Sequence, residues 1–229
     1  MNLTNKLKLQ PDGKIIFKNF SYLSLLRLFS IISQYIIISI LVRSLGDEKY
    51  GLFVWAFSVI QYLVIVINFG FNTYAAKYVP ENIDQPENLN RVFSTILSFK
   101  LFLFFISAAL FLFLVYNIPV FKENSHLLLI LLGFALGEAI FPIWLFQGKE
   151  RLEIPTKIIF AFKMLLVLST LIFITSEEHL LRYAFLLTAA QILIGLTGLY
   201  FAFSKLNMEF IRVSKGNVSK VIKDALPFF

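Results

Sequence analysis

Residues 20–42 read FSYLSLLRLFSIISQYIIISILV, twenty-three positions that are apolar along most of their length, with one arginine, Arg27, seven residues in. Such a run matches the roughly 30 Å hydrocarbon core of a bilayer at about 1.5 Å per helical residue, and it decides the fold class. Five further stretches of comparable length follow at 51–71, 92–115, 127–146, 158–175 and 183–203. Across the 229 residues, 58% are hydrophobic, 15% are charged and 27 are Phe. A soluble domain holds about 45–50% apolar and about 25% charged residues, so that class is excluded. The expected fold is all-α: a polytopic membrane protein whose six transmembrane helices form one bundle.

The flanks of the spans give organisation and orientation. Residues 1–19 form a polar, basic tail, and no small-residue cleavage site follows the first apolar run, so that run is expected to stay as a helix. Of the 21 Lys and Arg, 14 fall in the tail, the second and fourth loops and the segment after the sixth span, against four in the alternate loops. That bias places the N-terminus in the cytoplasm and accounts for most of the net charge of +7 without a nucleic-acid partner. The domains drawn are thus the tail at 1–19, the bundle at 20–203 and a cytoplasmic amphipathic segment at 204–229. In that last segment Val218, Val221, Ile222, Ala225 and Leu226 recur at helical spacing, with Lys220, Lys223 and Asp224 on the other face. Pro227, Phe228 and Phe229 read as the start of a seventh span, the alternative being a six-span protein with a short apolar tail.

Three spans carry one basic residue each: Arg27, Lys100 and Lys163. A cation in hydrocarbon is costly and is retained where it faces a cavity, a partner or, through a long stem, the headgroups. At roughly 8–12 Å from their drawn cytoplasmic starts, all three are candidates for a cationic cavity that handles an anion, with snorkelling as the alternative. For Arg27 the companions favour the cavity, because Ser24, Arg27, Ser30 and Gln34 form one helical stripe. The fourth span holds the lone intramembrane acid, Glu138, between Gly137 and Pro142. Pro142 removes an amide donor and frees a carbonyl one turn back, beside Glu138. The carboxyl is read either as an ion-coupling site or as the structural partner of a buried cation. Gly133 and Gly137 form a G-x-x-x-G pair suited to close helix packing.

Catalytic signatures are missing. His126 and His179 lie far apart at loop ends, no metal-ligand, Walker or nucleophile-elbow spacing occurs, and there is no Cys. Neither cofactor nor metal is expected.

Several short motifs bear a resemblance. Pro142-Ile-Trp144-Leu-Phe-Gln147-Gly148-Lys-Glu150 resembles the P-x-W-x-F-Q-G-x-E signature of Wzx-type O-antigen and capsular polysaccharide flippases. Leu45-Gly46 with Tyr50-Gly51, Asn68-Phe-Gly70-Phe71 and Leu226-Pro227-Phe228 are similar to further stretches of that family. The resemblance runs from about Phe20 onward. It implies a member of the multidrug/oligosaccharidyl-lipid/polysaccharide exporter superfamily, seen here as its N-terminal half, with no enzymatic activity. Such proteins sit in the bacterial inner (plasma) membrane and move undecaprenyl-pyrophosphate-linked oligosaccharide units between leaflets by alternating access of two bundles, for O-antigen, capsule or exopolysaccharide biosynthesis. The implied partners are the lipid-linked glycan, the bilayer, the C-terminal half of the same protein and the polysaccharide polymerase machinery. Arg27, Gln34, Lys100 and Lys163 would bind the pyrophosphate. A drug antiporter of the same superfamily is the alternative, though it calls for an acidic cavity. A membrane-embedded glycan-modifying enzyme is another, and it calls for clustered acids or histidines.

Overall fold

The computed structural model describes residues 13–212 and 221–228, and every regular element among them is helical. In chain order these are α1 (Gly13–Asn68), α2 (Phe71–Glu81), α3 (Pro86–Asn117), α4 (Pro119–Glu123), α5 (Ser125–Ile140), α6 (Ile143–Gly148), α7 (Glu153–Phe173) and α8 (Leu180–Leu206), with short 3₁₀ turns at Glu177–His179 and Leu226–Phe228. Among the described residues, five helical stretches are long and apolar enough to cross a membrane: Arg27–Glu81, Pro86–Asn117, Ser125–Gly148, Glu153–Phe173 and Glu177–Leu206. Most of the tail at 1–19 and the residues 213–220 of the amphipathic segment lie outside the described residues.

The first of these stretches holds two arms. α1 has 56 residues and would run about 84 Å if straight, far more than one crossing needs. Gly46 interrupts it with φ 74° and ψ 166°, a region that only glycine enters without strain. Residues equidistant from Gly46, such as Gln34 with Ser58 and Ile38 with Val54, line the same cavity, so the chain folds back there as a helical hairpin. The sequence reading draws six spans, with the two arms of α1 as the first and second; by length and composition the described residues give five candidate stretches.

Alternate loops gather at alternate ends of the bundle. At one end the Gly46 corner lies against Glu177, whose Oε1 would stand 3.5 Å from an added Cβ, and Trp55 packs edge-on against Phe121 at 5.6 Å. At the other end Lys149 Nζ donates to the Leu206 carbonyl at 3.1 Å, closing the end of α8. There the chain after α8 is also pinned to α3: Asn90 Oδ1 accepts from the Glu209 amide at 3.0 Å, and Ser94 Oγ from the Ile211 amide at 2.9 Å.

Two cores result. The larger packs both arms of α1 with α3, α5 and α8 around Leu41, Ile60, Phe111, Leu128 and Leu131. The smaller sits at the end that carries α2 and α6, around Phe71, Phe93, Trp144 and Phe146. Large apolar side chains also point outward along the spans, Phe105, Phe113, Ile172 and Phe185 among them, as lipid-facing helices require.

Two segments differ from the sequence reading. Residues 72–91 are not a plain loop: α2 and the first turns of α3 occupy most of them. Phe71, Tyr74, Ala75 and Val79 repeat at helical spacing and bury one face of α2 against α6, too short a stripe to register as a span. The stretch 127–146 is not one helix, because Pro142 ends α5 at Ile140 and α6 begins at Ile143. Phe141, just before the proline, is extended with ψ 110°, the conformation that a following proline imposes. In the amphipathic segment Val221 and Ala225 are buried in the smaller core, with Lys223 and Asp224 exposed.

Candidate functional site

The packing of α5 on α8 sets the site. Gly133, Gly137, Gly195 and Gly198 face the seam, and a Cβ added to Gly137 would stand 2.7 Å from the Gln191 backbone carbonyl. One added to Gly195 would stand 2.6 Å from the Gly137 carbonyl. The two backbones therefore touch. This is the close approach expected of Gly133 and Gly137, with a glycine pair on α8 completing it. Contact at Gln191 brings that side chain beside Glu138, and Gln191 Nε2 donates to Glu138 Oε1 at 2.9 Å.

That pair opens onto a cavity of about 570 Å³ between the arms of α1, α5, α7 and α8. Its polar lining includes Ser30, Gln34, Glu138, Lys163 and Gln191, while Phe53, Phe57 and Leu41 supply apolar wall. Phe53 meets Tyr183 edge-on at 4.9 Å at the end nearer the Gly46 corner. Lys163 Nζ donates to Ser30 Oγ at 3.1 Å, a neutral partner that leaves two ammonium protons to offer elsewhere. The Glu138 carboxylate acts electrostatically on both Lys100 and Lys163. With both lysines charged, one acid among two cations leaves the neighbourhood with a surplus positive charge.

The candidates from the sequence are distributed unevenly. Gln34, Glu138 and Lys163 come together in the cavity. Lys100 does not line it: its side chain is 2% exposed, and Nζ donates to the Glu138 backbone carbonyl at 3.1 Å. Arg27 is exposed on α1, one turn from Ser30, and is not part of the cavity lining.

The motif residues occupy the smaller core. Pro142 forms the break, Trp144 is buried against Phe93 at a ring separation of 6.1 Å, and Gln147 is half-buried. Gly148 lets α6 touch α2, since an added Cβ would meet Val79 Cβ. Glu150 is exposed and left-handed with φ 54°, in the turn that closes α6. In this bundle the later part of the motif makes a docking joint between α6 and α2, while Ile143 at its start lines the cavity. Sequence reasoning missed Gln191 as the partner of Glu138, and its signal was an amide in mid-span that needs a hydrogen-bonding neighbour.

Comparison with known proteins follows the same lines. A family model described as polysaccharide biosynthesis protein matches residues 16–229. The chain is 23% identical over 226 residues to a protein of Escherichia coli strain K12 named as an O-antigen transporter, covering 99% of this chain and 53% of that protein. A second relative named in the same way, from Shigella dysenteriae, is 24% identical over 214 residues, 93% of this chain and 53% of that protein. The chain spans about half the length of the curated relatives it matches. No solved structure matches it.

Proposed function

Because the chain belongs to the polysaccharide biosynthesis protein family, we propose that it forms one bundle of a flippase carrying a lipid-linked oligosaccharide across the bacterial plasma membrane. The relatives named as O-antigen transporters support the cargo class. The observation that carries the reading is Lys163, a cation inside a mostly apolar cavity whose hydrogen-bond partner is the neutral hydroxyl of Ser30. The substrate on this reading is undecaprenyl-pyrophosphate-linked glycan. Its pyrophosphate takes the spare donors of Lys163, Gln34 offers an amide to the sugar or phosphate oxygens, and the polyprenyl tail stays in lipid. No covalent bond changes, and the step is alternating access against a second bundle. The exposure of Arg27 one turn from Ser30 supports its role as a second cation on the approach to the cavity.

Glu138 in the same wall is what a cation antiporter would use, and that reading is the runner-up. It is the weaker one because the carboxylate is already engaged by Gln191 and shared between two lysines.

Lys163→Met tests the flippase reading. A charge-assisted hydrogen bond to phosphate contributes about 1.5–3 kcal/mol, so surface polysaccharide is expected to fall roughly tenfold or more at limiting substrate. Lys163→Arg, which keeps a cation, should retain much of the export. Normal surface polysaccharide in Lys163→Met at matched protein abundance would remove the basis of the proposal.

The orientation proposed has the N-terminus and the α2–α6 end in the cytoplasm, as the basic bias indicates. Single cysteines at the exposed Glu123 and Asp84 probe it with a membrane-impermeant thiol reagent in intact cells. Glu123→Cys should label and Asp84→Cys should not, while the reverse pattern inverts the topology.

A further inference from the structure

We propose that Lys100 is a positioning residue: its ammonium takes the place of the amide that Pro142 lacks, caps the Glu138 carbonyl, and so holds the Glu138 side chain at the cavity wall. In a continuous helix the carbonyl of residue 138 accepts from the amide of residue 142. Residue 142 is proline and has no N–H, so that acceptor is freed inside the bundle. A carbonyl without a donor at membrane depth is strongly disfavoured. Lys100, from the neighbouring α3, reaches this same oxygen at 3.1 Å.

Three observations separate this role from anion binding. Lys100 is 2% exposed and does not line the cavity. Its hydrogen bond goes to the backbone of residue 138 and leaves the carboxylate to Gln191. The bend it braces is also fixed by packing, since Phe141 on the extended side sits where a Cβ on Gly198 would stand 2.5 Å away, locking the turn onto α8. Lys100 thus fixes the residue on α5 from which Glu138 projects, with α8 as the opposite jaw. The inference rests on the geometry of the bundle and does not depend on the identity of the cargo.

The test is a pair of substitutions that ought to cancel. Lys100→Met keeps the stem and removes the donor, and it is expected to lower the thermal unfolding midpoint of the purified protein in detergent by roughly 5 °C. Adding Pro142→Ala returns an amide to position 142 and releases Phe141 from its enforced extended conformation, so the double variant should recover most of that loss. If Lys100→Met yields no folded protein, the same comparison is made on yield, and recovery in the double variant supports the proposal. Absence of recovery by either measure overturns it.

A second readout separates positioning from direct contact. Undecaprenyl pyrophosphate in detergent micelles should shift the unfolding midpoint of the double variant as much as that of Pro142→Ala alone. A shift lost in the double variant despite its recovered stability assigns Lys100 to the anion and overturns the proposal. A wild-type protein that does not respond to this probe counts against the flippase reading, and the stability comparison still decides the role of Lys100.

Discussion

Gly137→Val is expected to abolish folded protein, and Gly137→Ala to leave a fraction of it. The added Cβ of alanine meets the Gln191 carbonyl carbon and oxygen at 2.7 Å and the Ile192 amide nitrogen at 2.8 Å, all of them backbone atoms that no rotamer change can move. Relief requires α5 and α8 to separate. Overpacking of this kind costs about 1–3 kcal/mol for a single methyl, and valine adds two more carbons to the same contact. The side-chain bonds across the seam, from the Thr188 hydroxyl to the Ile130 carbonyl at 3.1 Å and from Gln191 to Glu138 at 2.9 Å, are of a kind worth about 0.6 kcal/mol each on average within membranes, too little to resist separation. Separation also withdraws Gln191 from Glu138, so any protein that survives in Gly137→Ala should export less per molecule. The measurement is abundance and monodispersity in detergent, with Gly51→Ala as control, since a Cβ there meets nothing within 4 Å. Equal abundance of Gly137→Val and wild type would show that the seam is not a backbone contact.

The seam also shows where sequence reasoning succeeds and where it stops. The apolar runs, the alternation of loops between two ends and the small-residue pair at Gly133 and Gly137 were legible because each depends on local composition and on the thickness of hydrocarbon. The interruption at Pro142 was legible because proline removes a donor wherever it stands. Which residue would supply the missing donor was not, because Lys100 lies 38 positions earlier on another helix and its stem length suits a cavity, a headgroup or a carbonyl equally well. The three intramembrane cations looked alike by depth, yet they occupy three environments: Arg27 exposed, Lys100 buried on a backbone oxygen, and Lys163 on a hydroxyl in the cavity. Rotation about a helix axis separates them, and a stripe of four polar residues fixes that rotation only loosely. The α2 helix was missed for another reason. Its apolar face covers only 11 residues, so it carries no membrane-length signal, and its partner α6 is created by the proline break.

Glu138→Gln should lower abundance sharply, and adding Lys163→Met should restore much of it. The carboxylate lies within electrostatic reach of Lys100 and Lys163, so its removal leaves two ammonium groups, one on the Glu138 carbonyl and one on Ser30, without their shared counter-charge. The carboxylate makes no contact ion pair with either lysine, so the loss falls below the about 3–5 kcal/mol of a broken buried pair, and a lysine that sheds its proton recovers part of it. The glutamine isostere keeps the contact with Gln191, so the loss isolates charge from packing. Taking away Lys163 in addition returns the site to one buried cation that retains its carbonyl acceptor, which is why the double variant should outlive the single one. Abundance alone separates this account from ion coupling. A carboxylate used only to couple transport to an ion gradient would leave Glu138→Gln as abundant as wild type while abolishing gradient dependence. In that case Lys100 and Lys163 would be tolerated without the acid, and the counter-charge account of Glu138 would fall.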